Sequence, residues 1–335
     1  MPIGRFHQDI TTLSKSILLL PLLFLTTSFG PFYPKKAEKP GNCAGVSPFY
    51  GYTFLDPDII HKSGAYAPFF TRWDDYYERY YFNQTEDIQK SENIQEWRER
   101  FCGQPLPEDI AYVVYEADIS EIAGLHTAAA DPQKKAPLPY RLGGNTFAEM
   151  IALNGCTEVT AYLMFAKKCE TYVGPKSSGW NSGDRLVPQM LDLIQEGVDR
   201  FKDTQSQFLR MRYAYQLVRM AHYAGDYPYA VDLYNYLLPK IDRKKPSIIY
   251  FWTLGHLAGA LQKMGKYPEA AYRFSLVFRF CPSKRAQAYR SFLIRNDDDW
   301  KKTLALCQSD AEKSTLYILR AGGARTFLLD DILQV

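Results

Sequence analysis

The sequence predicts an all-α fold, preceded by an irregular, aromatic-rich N-terminal region. Two segments with one shared pattern begin at Gly225 and Gly265, forty positions apart. Each follows a stretch in which apolar residues recur at the three- and four-residue spacing of an amphipathic helix. A composition of 46% hydrophobic and 23% charged residues is that of an ordinary globular chain. A length of 335 residues suggests about two domains.

Residues 1–28 are predicted to be a signal peptide. Arg5 and Lys15 precede the apolar run from Ile17 to Leu25, and small residues follow it. A run this short cannot cross about 30 Å of hydrocarbon as a helix. An uncleaved anchor or a buried strand are the alternatives. We therefore expect an exported protein, periplasmic or at the cell surface, with no transmembrane span after the leader is removed.

Residues 29–47 are rich in Pro, Lys and Gly and predict a linker. Residues 48–143 form an aromatic-rich, partly helical region. The whole chain has 25 Tyr and 20 Phe. Tyrosine fills seams between helices while its hydroxyl stays hydrated, and it also lines binding surfaces for sugars and peptides. Both explanations stay open.

Within this region, spacing at three and four residues predicts a helix from Thr71 onward. A second helix is expected from Ile94 to Phe101, with Asn93 as its N-cap and Glu96 three positions further on. The segment from Ile110 to Tyr115 fits either a strand or a short helix.

Residues 144–335 are expected to form a helical repeat domain. Asn145 or Thr146 caps a long apolar segment that reaches about Cys169, so that Cys156 and Cys169 share one helix. A loop over 173–183 follows. Its Trp180 is either packed into the core or placed at the mouth of a site.

The clearest repeats cover 208–240 and 248–283. Each position of the repeated pattern has a physical role. Glycine ends one helix in a left-handed conformation, and proline fits the first turn of the next helix. A small alanine lets two helices approach, and an aromatic ring four residues later fills the groove beside it. The residues are Gly225, Tyr227, Pro228, Ala230 and Tyr234, then Gly265, Tyr267, Pro268, Ala270 and Phe274, with Pro282 in the closing position.

These residues resemble the tetratricopeptide repeat, and the resemblance covers roughly 208–283. It implies a right-handed α-solenoid of helix hairpins that presents a concave face to a protein partner. The period is forty instead of the family's thirty-four, so the connection over 241–247 is longer than usual.

A third unit is expected after the second repeat. Ser283 is predicted to cap a segment that reaches about Arg295. Asn296 and the run Asp297–Asp299 then lead into another helix, and Ser314–Arg320 into one more. The aspartate run fits a calcium site, but carboxylates at the start of a helix also stabilise its macrodipole without a metal.

Charge and motifs exclude several functions. A net charge of +3 with no concentrated basic face argues against nucleic-acid binding. Metalloprotease, serine-hydrolase, P-loop and dinucleotide motifs do not occur, and the five histidines are dispersed. We therefore assign no catalytic, cofactor or metal-binding residues. Six cysteines are too few for a disulfide scaffold, and buried free thiols are the alternative to pairing.

The leading interpretation is a non-catalytic interaction or scaffold protein of the cell envelope that binds a protein or peptide through its repeats. An extracellular glycan- or nutrient-binding protein of the helical-repeat type is the alternative. An exported hydrolase with an unidentified acid pair is the second alternative. The candidate binding surface consists of Tyr215, His222, Trp252 and His256 on the first helices of the two repeats.

Overall fold

The computed structural model describes residues 80–131, 133–173, 187–242 and 247–321. Within these ranges the chain is all-helical and has no strand, which confirms the predicted all-α class. The predicted signal peptide and linker, residues 48–79 of the aromatic-rich region with the start of the helix expected from Thr71, and residues 174–183 of the predicted Trp180 loop lie outside the described residues. None of the described helices is long and apolar enough to cross a membrane.

The α-helices are numbered in chain order. They are α1 (Tyr80–Arg100), α2 (Pro107–Ala111), α3 (Ile119–Ala130), α4 (Thr146–Leu153), α5 (Thr157–Val173), α6 (Val187–Asp203), α7 (Gln207–Tyr223), α8 (Tyr227–Leu237), α9 (Ile248–Lys263), α10 (Tyr267–Phe280), α11 (Arg285–Ser291), α12 (Asp297–Ala305) and α13 (Asp310–Ala321).

The prediction that Asn93 begins a separate helix is wrong, because α1 runs through it without a break. Asn93 is buried, and its side chain is used in tertiary contacts instead of a cap. Its amide donates to the Tyr115 hydroxyl at 2.8 Å, and its oxygen accepts from Arg212 at 2.9 Å. The segment left undecided between strand and helix is helical, as α2 followed by a π-helical turn over Tyr112–Glu116.

The prediction of one long helix to Cys169 is also wrong. Asn145 caps α4 by accepting the backbone N–H of Ala148, but α4 ends at Leu153. Gly155 has a φ of +63° and turns the chain out of the helix, so that Cys156 precedes α5 and Cys169 lies inside it. The sequence signal for this break was Gly155 itself, a typical helix-terminating residue.

The two repeat segments form helix hairpins, α7 with α8 and α9 with α10. Gly225 and Gly265 have φ values of +79° and +78°, a conformation that glycine adopts without steric cost. In each turn the residue after glycine donates its N–H five positions back, from Asp226 to Ala221 and from Lys266 to Leu261. The chain therefore reverses direction in three residues at both places.

The helices pack in a regular order through the middle of the molecule. Helix α7 packs against α5 and α9, α6 packs against α7, and α8 packs against both α7 and α9. Helix α10 then packs against α9. Small residues allow this close approach. A Cβ at Gly197 of α6 would lie 2.5 Å from Phe165 Cζ and 2.6 Å from Leu217 Cδ2.

Helix α1 contacts the N-terminal parts of α7 and α9 through a buried polar cluster. Arg212 is 1% exposed and donates to Glu96 at 3.1 Å, while its guanidinium lies 3.6 Å from the Phe208 ring centroid. Glu96 also accepts from the Ser247 hydroxyl at 2.9 Å and from the backbone N–H of Ile248 at 2.5 Å. One carboxylate thus joins α1 to α7 and to the first turn of α9.

The C-terminal helices α11, α12 and α13 follow α10. Ser283 is not the N-cap of a helix, contrary to the prediction, because it lies inside a 3₁₀ turn over Pro282–Lys284. The aspartate run begins α12, where Asn296 caps the helix through the N–H of Asp299 at 2.8 Å. Asp297, Asp298 and Asp299 lie in the first turn of α12, where negative charge stabilises the helix macrodipole, and Asp299 also forms an ion pair with Arg295 at 2.7 Å.

Candidate functional site

A pocket of about 330 Å³ lies between α7, α9 and α11, with Gln89 of α1 at one side. All four residues of the candidate binding surface line it: Tyr215, His222, Trp252 and His256. They meet there because α7 and α9 are neighbours, and these side chains lie on the same side of the two helices. The structure therefore brings the whole candidate set together.

Two large aromatic rings form the floor of the pocket. The Tyr215 and Trp252 rings meet edge to face, with 5.7 Å between centroids and 62° between planes. They are only 8% and 6% exposed, so most of each ring is covered by protein. Trp252 Nε1 donates to the Ser283 hydroxyl at 3.4 Å, and this hydrogen bond restrains the orientation of the ring. Burial raises the pKa of the Tyr215 hydroxyl.

Two histidines form one wall. The His222 and His256 rings lie 5.3 Å apart at 63°. Gly259 makes room for this pair, because a Cβ there would come within 2.7 Å of His222 Cε1. Burial lowers the pKa of both rings, and His222 adds to the lowering at His256. His222 Nδ1 is buried and has no hydrogen-bond partner among the described residues.

The rim carries an exposed tyrosine and a positioned arginine. Tyr223 is 56% exposed. The Arg219 guanidinium donates to the backbone oxygen of Val173 at 2.8 Å and lies 5.9 Å from the Tyr223 ring centroid. This contact with the end of α5 holds Arg219 at the edge of the pocket.

The charged side chains in the described lining are all cations. Arg219, Lys263 and Lys284 line the pocket, and neither Asp nor Glu is among its described lining residues. Lys284 donates to Gln89 Oε1 at 2.8 Å and lies 5.8 Å from the Trp252 ring centroid. The pocket therefore combines an aromatic floor, a neutral histidine wall and a cationic rim.

Most of the lining was missed by the sequence reasoning, including Arg219, Gly255, Gly259, Lys263 and Lys284. A signal for three of them was present. Gly255, Gly259 and Lys263 follow Trp252 at steps of three, four and four along α9, which is the spacing of one helix face. Of the two glycines on that face, Gly255 borders open space, since a Cβ there would meet no atom within 4 Å, whereas Gly259 makes room for His222.

The residues of the repeated turns lie mainly in the packing between helices. Ala230 and Ala270 are buried, as is Phe274, which also contributes to the pocket lining. The Tyr227 and His222 ring centroids lie 5.5 Å apart, so Tyr227 packs against the histidine wall. The Tyr267 ring centroid lies 3.9 Å from the Arg295 guanidinium. The remaining members, Pro228, Tyr234, Pro268 and Pro282, occupy helix starts and seams.

A second depression, between α5 and α6, is wide and shallow. Lys168 and Glu196 line it and form an ion pair at 3.0 Å across it. A surface ion pair of this kind is an ordinary feature of a solvated seam. Within the described residues, no group of His, Cys, Asp and Glu side chains is arranged to hold a metal ion.

No protein-family model matches the chain, and no curated protein or solved structure matches it significantly.

Proposed function

We propose that this chain is a non-catalytic interaction protein of the cell envelope, which binds a protein or peptide partner in the pocket between α7, α9 and α11. The observation that carries the proposal is the convergence of Tyr215, His222, Trp252 and His256 on one pocket with an exposed rim. Concave sites with an apolar floor and a few polar groups are the usual binding sites of proteins.

The repeat architecture supports the proposal. We infer that the hairpins α7–α8 and α9–α10 belong to a right-handed solenoid of tetratricopeptide-like units. Both hairpins turn at a glycine with positive φ, begin their second helix with proline and bury a small alanine between helices. Stacked hairpins leave one face of their first helices free for a partner, and residues of α7 and α9, the first helices of the two hairpins, line the pocket.

The chemistry of the pocket favours a peptide over a glycan. A sugar ring stacks on the open face of an aromatic side chain, whereas Tyr215 and Trp252 are mostly covered and meet edge to face. The rim instead offers cations, together with amides from Gln89, Gln262 and Gln287. These are donors that suit peptide carbonyl and carboxylate groups.

Hydrolysis is less well supported by the same lining. Glycosidases of the common type use two carboxyl groups on either side of the scissile bond. The described lining of the pocket has histidines that burial keeps neutral, and its charged side chains are cations. Export rests on the predicted leader over 1–28.

A pocket-filling variant tests the proposal. Gly255→Phe places a ring in open space, while Gly255→Ala adds one methyl group and serves as the matched control. Immobilised protein would be exposed to the envelope fraction of the native organism and to a glycan array. We expect one partner protein to be captured by wild type and Gly255→Ala, and to be lost with Gly255→Phe while its circular dichroism spectrum is unchanged.

Tyr223→Ala at the exposed rim is a second variant, should Gly255→Phe fail to fold. It is expected to weaken capture of the same partner. If wild type captures no protein but binds a glycan, and Gly255→Phe abolishes that binding, the glycan alternative replaces the proposal. Capture that neither variant changes would remove this pocket as the binding site.

A further inference from the structure

We propose that the pocket between α7, α9 and α11 binds an anionic side chain of the partner, either a carboxylate or a phosphate. This inference rests on the proposed function and adds to it the chemistry that the pocket selects. Arg219, Lys263 and Lys284 are placed around the site, and no described lining residue offers a negative charge. A bound anion would supply the charge that the pocket itself lacks.

The three cations differ in whether a described carboxylate lies near them. Arg219 and Lys263 form no ion pair with a described carboxylate, and the one hydrogen bond of Arg219 is to the neutral carbonyl of Val173. Lys284 is near Glu92 of α1, whose carboxyl hydrogen-bonds with Ser283. Even if Glu92 offsets Lys284, two cations at the rim have no counter-charge among the described residues.

The same cations contribute to the pKa shifts of the two histidines in the wall of the pocket. After burial, the charges of His222, Arg219 and Lys284 lower the pKa of His256, and Lys263 lowers that of His222. No acidic group is among the causes of either shift. The cations that contribute to these two pKa shifts also favour an anion in the pocket, whereas burial, the larger cause of the shifts, disfavours a charge of either sign.

The shape of the pocket suits a side chain that ends in a charge. Gly255 leaves the centre of the α9 wall open, and the floor of Tyr215 and Trp252 can contact the methylene groups that precede the charge. His222 Nδ1 is a buried polar atom without a partner at this wall. A hydrogen-bond donor on the ligand, such as a peptide N–H beside the anionic group, would remove the cost of leaving that atom unpaired, because the ring already hydrogen-bonds to the His256 backbone.

Charge reversal at the rim tests the inference. Lys263→Glu changes an exposed side chain that lines the pocket. Lys266→Glu makes the same change in net charge three residues away, at an exposed position outside the lining, and is the control. Each immobilised full-length protein would be exposed to a random peptide library that contains glutamate, aspartate and phosphoserine, and the bound peptides would be identified by mass spectrometry.

Wild type and Lys266→Glu are expected to enrich acidic or phosphorylated residues at one position of the bound peptides. Lys263→Glu is expected to bind those peptides about tenfold more weakly, because repulsion replaces attraction at one charge pair. Raising the ionic strength from 0.1 M to 1 M shortens the screening length from about 10 Å to about 3 Å and should weaken wild-type binding as well. Separate synthetic peptides with glutamate or phosphoserine at the enriched position decide between carboxylate and phosphate.

The inference is overturned if no acidic residue is enriched, if no peptide binds, or if the two charge reversals weaken binding equally. The proposed function instead fails if partner capture is unchanged in both Gly255→Phe and Tyr223→Ala. Partner capture that is lost in Gly255→Phe but unchanged in Lys263→Glu would retain the pocket as a binding site and reject its preference for anions.

Discussion

Truncation of Glu96 tests the cluster that joins α1 to α7 and α9. In Glu96→Ala, the Arg212 cation stays buried at 1% exposure and keeps only its hydrogen bond to Asn93. Removing one partner of a buried ion pair costs about 3–5 kcal/mol. Glu96 is 20% exposed, so we expect the lower end of that range, about 3 kcal/mol.

The same variant also removes a cap from α9. The Glu96 carboxylate accepts the backbone N–H of Ile248 in the first turn of that helix. Loss of a helix cap costs about 1 kcal/mol, which brings the expected decrease in the free energy of unfolding to about 4 kcal/mol. For a domain of this size, that corresponds to a decrease in Tm of roughly 10 °C.

Urea unfolding followed by circular dichroism measures the change. The control is Glu99→Ala, an exposed position on the same helix, with an expected effect below about 0.5 kcal/mol. The double variant Glu96→Ala/Arg212→Met removes the buried charge as well and is expected to be at least about 1 kcal/mol more stable than Glu96→Ala alone. A Glu96→Ala protein as stable as wild type, or a double variant whose loss equals the sum of the two single losses, would refute this account of the cluster.

Four further predictions follow from burial and packing. Burial holds the pKa of His256 well below 6.5, so the unfolded chain takes up a proton that the folded chain does not. Stability should therefore fall as the pH drops below about 6.5, and urea midpoints should fall less in His256→Gln than in wild type between pH 7.5 and pH 5. Gly197→Ala should destabilise the fold by about 1–3 kcal/mol, since its Cβ would lie 2.5 and 2.6 Å from two core side chains. Gly255→Ala should stabilise the fold by up to about 1 kcal/mol. Urea midpoints that shift in the same direction for Gly197→Ala and Gly255→Ala would contradict the packing described around Gly197 on α6. Burial raises the pKa of Cys281 to about 12, whereas Cys102 is exposed, so a thiol reagent at pH 8 should modify Cys102 quickly and Cys281 only after unfolding, as mapped by mass spectrometry.

The sequence predicts those parts of the fold that depend on neighbouring residues. Gly225 and Gly265 end helices because a left-handed turn is a local property of the chain, and the proline three residues later lies in the first turn of the next helix for an equally local reason. The candidate site could be located for the same reason. Residues at helical spacing on α7 and α9 meet once two hairpins stack.

The sequence does not predict what depends on distant partners. Asn93 has the pattern of an N-cap, but Arg212 and Tyr115 compete for its side chain, and α1 continues through it. Lys284 was missed because it comes from a turn that lies beyond α9 and α10 in the chain. A single sequence does not show which distant segments share a wall.

The position of α1 has a consequence for the order in which the molecule is built. Its bonds to Arg212, Ser247 and Ile248 span 116 to 152 residues. During synthesis α1 leaves the ribosome long before α9, so Trp97, which is 1% exposed in the finished protein, has no complete surface to cover it until most of the chain has been made. Long-range closure of this kind slows folding and leaves the apolar surface around Trp97 uncovered over that interval.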